Sequence, residues 1–164
     1  MQHNGKDLYK PELFLTTVNQ IPEKQKFVDF IYQKISDGQT VRAKDDGTDV
    51  GYVMLDNEEM QKVFQPIFDK LKISQARISY VYVHYAEKGR KFAVHDHDKP
   101  HAVYYLQVPM NSGHIYFPDF DGCRIMEPKE GKIIIIPEFI KHGVSEHGND
   151  ALRIAITMQL ENLI

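Results

Sequence analysis

Between Ile78 and Leu160 the chain carries five short runs of β-branched and aromatic residues, ISYVYVHY, HAVYYLQV, GHIYF, KIIIIP and LRIAITMQL, separated by Gly, Pro, Asp and Asn. Side chains branched at Cβ or carrying a ring pack well on a pleated surface, so runs of this length and content form strands. They succeed one another without helical periods between them. That order favours a mainly antiparallel barrel or sandwich over an alternating α/β sheet.

Helices are expected only ahead of these strands. PEKQKFVDFIYQKI, residues 22–35, spaces Phe27, Ile31 and Ile35 as one face of a helix, with Pro22 suited to its first turn. A second helix is expected from Asp56 or Asn57, where Met60, Val63, Phe64, Ile67, Phe68 and Leu71 share a face and Pro66 introduces a kink. Between the two, SDGQTVRAKDDGTDVGY reads as a turn-rich connection, and its polar part from Asp37 to Asp49 has the composition of a surface loop able to cover a site. The organisation expected is a single domain over residues 1–164, with helical support at about 22–73 and a β core at about 76–162.

With 164 residues and 42% hydrophobic content, the chain can bury one sizeable core. Its 20 Lys and Arg are interspersed with 23 Asp and Glu, giving a formal charge of −3, which does not favour a nucleic-acid or membrane surface. Cys123 is the single cysteine, so no intramolecular disulfide forms and a reducing, cytoplasmic setting is expected. The N-terminal MQHNGKDLYKPELF lacks an apolar stretch after its charges, so a secretory leader is not expected. Self-association stays open.

His95 and His97 bracket one residue in FAVHDHD. In extended chain, residues two apart share a face, so both rings can point inward. Downstream, GKIIIIPEFIKHGV runs an apolar strand into a turn ending at His142, which can supply a third nitrogen from across a barrel. Three neutral imidazoles suit iron, zinc, copper or nickel. His3, His84, His114 and His147 read instead as surface or hydrogen-bonded core residues.

HYAEKGRKFAVHDH, HAVYYLQVP, SGHIYF, MEPKEGKIIIIPEFIKHGV and RIAIT occur in the order found in the iron(II)- and 2-oxoglutarate-dependent oxygenases, and the chain from Ser79 to Thr157 resembles that family, most nearly its prolyl-hydroxylase-like branch and small bacterial and viral relatives. The resemblance implies a double-stranded β-helix, the jelly roll shared with cupins. It implies iron(II) as metal, with His95 and His142 as ligands, and 2-oxoglutarate as cosubstrate with O2. It also implies that Arg153 clamps the far carboxylate of 2-oxoglutarate, a task suited to a planar guanidinium, and that Tyr85 and Tyr105 contact the cosubstrate. Thr157 shares the Arg153 face and offers a hydroxyl. The implied outcome is hydroxylation of a further substrate, such as a peptide or protein side chain, with succinate and CO2 as co-products.

One position departs from the family pattern: His97 stands where the motif H-x-D carries a carboxylate ligand. Gly89, His95, His97 and His101, followed by VYYL and the run from Gly131 to Pro137, also resemble the cupin metal motif, which makes His101 a candidate fourth ligand. Two alternatives therefore stand beside the oxygenase reading. One is a cupin-type dioxygenase or isomerase that uses no keto acid; the other is a non-catalytic β-helix binding module.

Overall fold

The computed structural model describes residues 14–17, 23–45, 48–56, 58, 59, 65, 78–120 and 122–161. Two β-sheets face one another. The larger contains, in spatial order, β1 (Phe14–Thr17), β9 (Lys132–Ile136), β6 (His101–Gln107), β11 (Arg153–Leu160), β4 (Ile78–Ala86), β3 (Thr48–Val53) and β2 (Thr40–Asp45). The smaller contains β5 (Phe92–His95), β10 (His142–Val144), β7 (Ile115–Phe117) and β8 (Arg124–Met126). All the pairings are antiparallel. The five sequence runs supply β4, β6, β7, β9 and β11, and the fold is the expected double-stranded β-helix.

The central strands of the large sheet are buried on both faces, which explains why their sequences are apolar without clean alternation. Toward the outside, Val83, Tyr85, Tyr104, Leu106, Ile154, Ile156 and Met158 form one core with α1 (Lys24–Ser36). Val28 and Ile31 are the buried residues of that helix, while Phe27, Phe30 and Ile35 pack at its margins. Helix α1 ends where Gly38 adopts φ 71°, with its N–H bonded to the Ile35 carbonyl and Gln39 N–H to that of Lys34. Toward the inside, Tyr105, Ile134, Ile136 and Ala155 meet Ile115, Phe117 and Met126 of the small sheet. One set of strands thus carries a structural face and a cavity face.

The segment from Asp37 to Asp49, read from sequence as a turn-rich loop, requires correction. It is mostly the hairpin of β2 and β3, paired from Thr40↔Val53 to Asp45↔Thr48 and extending the large sheet beside β4. Its charges are structural: Arg42 donates to Asp49 at 2.9 Å and to Glu87 at 2.8 Å, and Arg90 pairs with the same Asp49. The hairpin is thereby tied to the turn between β4 and β5. Gly51 is needed within it because Tyr85 of β4 lies across its backbone, where a methyl group would overlap the phenol ring.

The second expected helix lies almost entirely outside the described residues. At its start, Asp56 Oδ1 accepts from Glu59 N–H at 2.8 Å and Glu59 Oε2 accepts from Asp56 N–H at 3.0 Å, the reciprocal pattern of a capping box. Among the described residues, no helix is long and apolar enough to cross a membrane.

Candidate metal centre

His95 closes β5 and His142 opens β10, and the two are direct cross-strand partners. Beyond the end of β5 the chain keeps its alternation: His95 and His97 are partly buried, whereas Asp96 and Asp98 are exposed. One nitrogen from each of His95, His97 and His142 can therefore converge, and the three lie within 4.8 Å of one another. The ring centroids are 4.5 Å apart for His95 and His142, 4.9 Å for His95 and His97, and 5.5 Å for His97 and His142.

Hydrogen bonds settle the tautomers of two of these rings. His95 Nδ1 lies 2.7 Å from the Ala93 carbonyl, and His142 Nδ1 lies 2.8 Å from that of Ile140. A carbonyl only accepts, so each Nδ1 carries a hydrogen and Nε2 is the nitrogen left to face a metal. Backbone partners of this kind orient imidazoles for metal binding. Burial pushes the pKa of His142 down to about 4, and burial followed by repulsion from His101, His95 and His142 pushes that of His97 down to about 3. Both are neutral near pH 7, so a metal need not displace protons from them. Three imidazole donors and no carboxylate fit a divalent transition metal better than magnesium or calcium.

The cavity behind the triad runs between the two sheets to Arg153 on β11. That guanidinium is only 3% exposed; Nη1 donates to the Ser112 carbonyl at 2.6 Å, and the buried Nη2 has no hydrogen-bond partner. Burial lowers its pKa to about 10, which leaves it cationic at neutral pH. Among the described residues no carboxylate pairs with it. A buried cation with a spare donor is costly unless an anion completes it, so this end of the cavity suits a carboxylate ligand.

Of the remaining predicted site residues, Tyr105 and Thr157 line the cavity with Val103, while Tyr104 lies in the outer core. Burial raises the Tyr105 phenol to about 12, so it is a neutral hydroxyl. His101 also lines the cavity but is outside the converging group; its ring packs against that of His97, with centroids 3.9 Å apart. Tyr85 is a correction. It belongs to the outer core with its ring across Gly51, because alternation along β4 turns Tyr82 and His84 toward the cavity and Tyr85 away.

His84 and Tyr82 are polar cavity residues that sequence reasoning missed, and His114 is another. His84 Nε2 lies 3.0 Å from Thr157 Oγ1, and burial together with the nearby Arg153 charge drives its pKa down to about 3. The signal for His84 and Tyr82 was the register of β4 against β11, which sets Tyr82 opposite Thr157 and His84 opposite Ala155. Of the other histidines, His147 is fully buried with Nε2 donating to the Ala151 carbonyl at 2.6 Å, and His114, in contact with Ser145, also reaches the cavity wall. His3 lies outside the described residues.

Neutral burial of His84 sets the sign of an acid effect. The unfolded chain takes up a proton as pH falls below 6.5, whereas folded His84 remains neutral to about pH 3, so folding stability is lost across that window. The slope for this one group approaches about 1.4 kcal/mol per pH unit, with His97 and His142 acting in the same direction. Urea denaturation of the metal-free protein between pH 7 and 5.5 should show this loss, and His84→Leu should flatten it. An unchanged slope in that variant would contradict neutral burial.

No family model matches the chain, and no curated protein matches it in sequence. Similarity appears among solved structures. A prolyl-4-hydroxylase from Pseudomonas putida superposes with a TM-score of 0.63 at 15% identity, covering 93% of each chain. The α-ketoglutarate-dependent epimerase SnoN of nogalamycin biosynthesis gives 0.68 at 13% identity, covering 88% of this chain and 77% of its own. The viral collagen prolyl hydroxylase of Paramecium Bursaria Chlorella virus-1, solved with 2-oxoglutarate, gives 0.58 at 15% identity, covering 89% and 94%. At these identities the shared property is the fold.

Proposed function

We propose that this chain is an iron(II)- and 2-oxoglutarate-dependent oxygenase whose metal is held by His95, His97 and His142 and whose cosubstrate is anchored by Arg153. The observation that carries the reading is the buried, unpartnered Nη2 of Arg153 at the far end of the cavity lined by the three histidines. A metal-binding group at one end and a cation at the other match a keto acid with a second carboxylate. When bound, iron(II) would supply the redox chemistry that couples O2 to oxidative decarboxylation of 2-oxoglutarate, giving succinate, CO2 and a hydroxylated product.

The chain's own groups bind, orient and exclude water. Arg153 offers its free N–H donors to the distal carboxylate, a charge-assisted contact strengthened by burial. Tyr105 adds a neutral hydroxyl to the same cavity, and Thr157, held by His84, fixes the wall beside it. Val103, Ile115, Ile136 and Val144 make the intervening surface apolar. The prolyl hydroxylases among the similar structures favour a peptide or protein side chain as the group hydroxylated.

Anaerobic titration tests this function. Iron(II) followed by 2-oxoglutarate should produce a visible charge-transfer absorption, and O2 should then consume keto acid and release succinate. A second reading, a cupin-type metalloenzyme that uses no keto acid, is favoured by His97 occupying the third position of the triad. It predicts iron binding without that absorption.

A further inference from the structure

His95 and His142 are each fixed by a hydrogen bond from Nδ1 to a backbone carbonyl, but among the described residues no hydrogen bond fixes the ring of His97. Its main chain is held, since Phe139 N–H donates to the His97 carbonyl at 2.7 Å. Its imidazole, however, sits beyond the end of β5, outside any ladder. The group against it is His101, with ring centroids 3.9 Å apart and planes inclined by 31°.

His101 is itself firmly placed. It opens β6, paired with Gln159 of β11 on one side and Ile136 of β9 on the other, and its Nδ1 donates to the Lys99 carbonyl at 2.8 Å. Only 4% of its surface is exposed. The two rings lie against one another at a tilt, and His101 is absent from the set whose nitrogens converge.

We infer that His101 is a positioning residue for His97: its ring acts as a fixed plate that holds the otherwise unbonded triad imidazole in the orientation required of a ligand. The inference rests on the metal-centre reading of the triad. It assigns His101 a role distinct from that of a fourth ligand, because a plate requires a flat ring at residue 101 and a ligand requires a nitrogen.

Cobalt(II), whose d–d absorption reports ligand number and geometry, separates these roles when titrated anaerobically into the full metal-free chain. Wild type and His101→Phe should bind with similar affinity and the same spectrum. His101→Ala should bind about 10–100-fold more weakly, the range for outer partners that orient a ligand, with an altered spectrum. Thermal melts without metal establish that the variants are folded; if His101→Ala is not, His101→Leu, which fills the space without a flat ring, takes its place. Equal loss in His101→Phe and His101→Ala would make residue 101 a ligand and overturn the inference. Unchanged binding in both would also overturn it. If wild type itself failed to bind cobalt(II), the metal-centre reading would fall first, and the role of His101 with it.

Discussion

Replacing Arg153 with methionine should remove 2-oxoglutarate binding, leave metal binding intact and make the ligand-free protein more stable. Losing one partner of a buried charged contact costs about 2–5 kcal/mol, or roughly 30-fold or more in affinity. The metal should be spared because Arg153 lies outside the converging nitrogens. The stability gain follows from the same burial. Arg153 spends one N–H on the Ser112 carbonyl and leaves Nη2 without a partner, so the ligand-free fold carries an uncompensated cation. Apolar replacement of buried charges can stabilise by about 1–4 kcal/mol, and each kcal/mol raises the melting temperature of a chain this size by roughly 2–4 °C. Calorimetric titration with 2-oxoglutarate on the metal-loaded variant, beside a melt without ligand, reads both effects. Unchanged keto-acid affinity would refute the anchor.

Removing His142 should have the larger effect on the metal. His142→Ala leaves two of the three converging nitrogens and removes the one that β10 contributes, so affinity should fall by more than the ~100-fold that changes outside a ligand set produce. Iron(II) at one hundred times its dissociation constant stabilises a folded protein by about 2.7 kcal/mol, so metal should raise the melting temperature of wild type and leave that of His142→Ala unchanged. The buried ring packs near Phe117, and truncation also carries a structural cost of about 1–3 kcal/mol. Comparing the metal-induced shift within each protein cancels that cost. A preserved shift in the variant would remove His142 from the centre.

The strand runs were legible because β-branched or aromatic residues crowd β4, β6, β9 and β11, and the inward phase of His95 and His97 was legible because exposed Asp96 and Asp98 alternate with them. Tyr85 was misplaced for the opposite reason. Strand β4 is apolar or aromatic on both faces, so no binary pattern marks which side meets the cavity, and only its register against β11 assigns His84 inward. The β2–β3 hairpin was obscured by its charges, since Arg42 and Asp49 form ion pairs that a sequence does not distinguish from the polarity of a loop. The proximity of His101 to His97 comes from tertiary packing between the start of β6 and the segment after β5, for which spacing carries no signature.

The alternation His95, Asp96, His97, Asp98 holds two coordination chemistries in one tetrapeptide. In the observed phase it points imidazoles inward and carboxylates to solvent; a slip of one residue would exchange them. Two imidazoles would give way to two carboxylates beside the nitrogen of His142, a mixed donor set harder and more negative than three imidazoles. Pairing of His142 with His95 opposes that slip. Strand parity, as much as residue identity, therefore decides which donor atoms face the cavity.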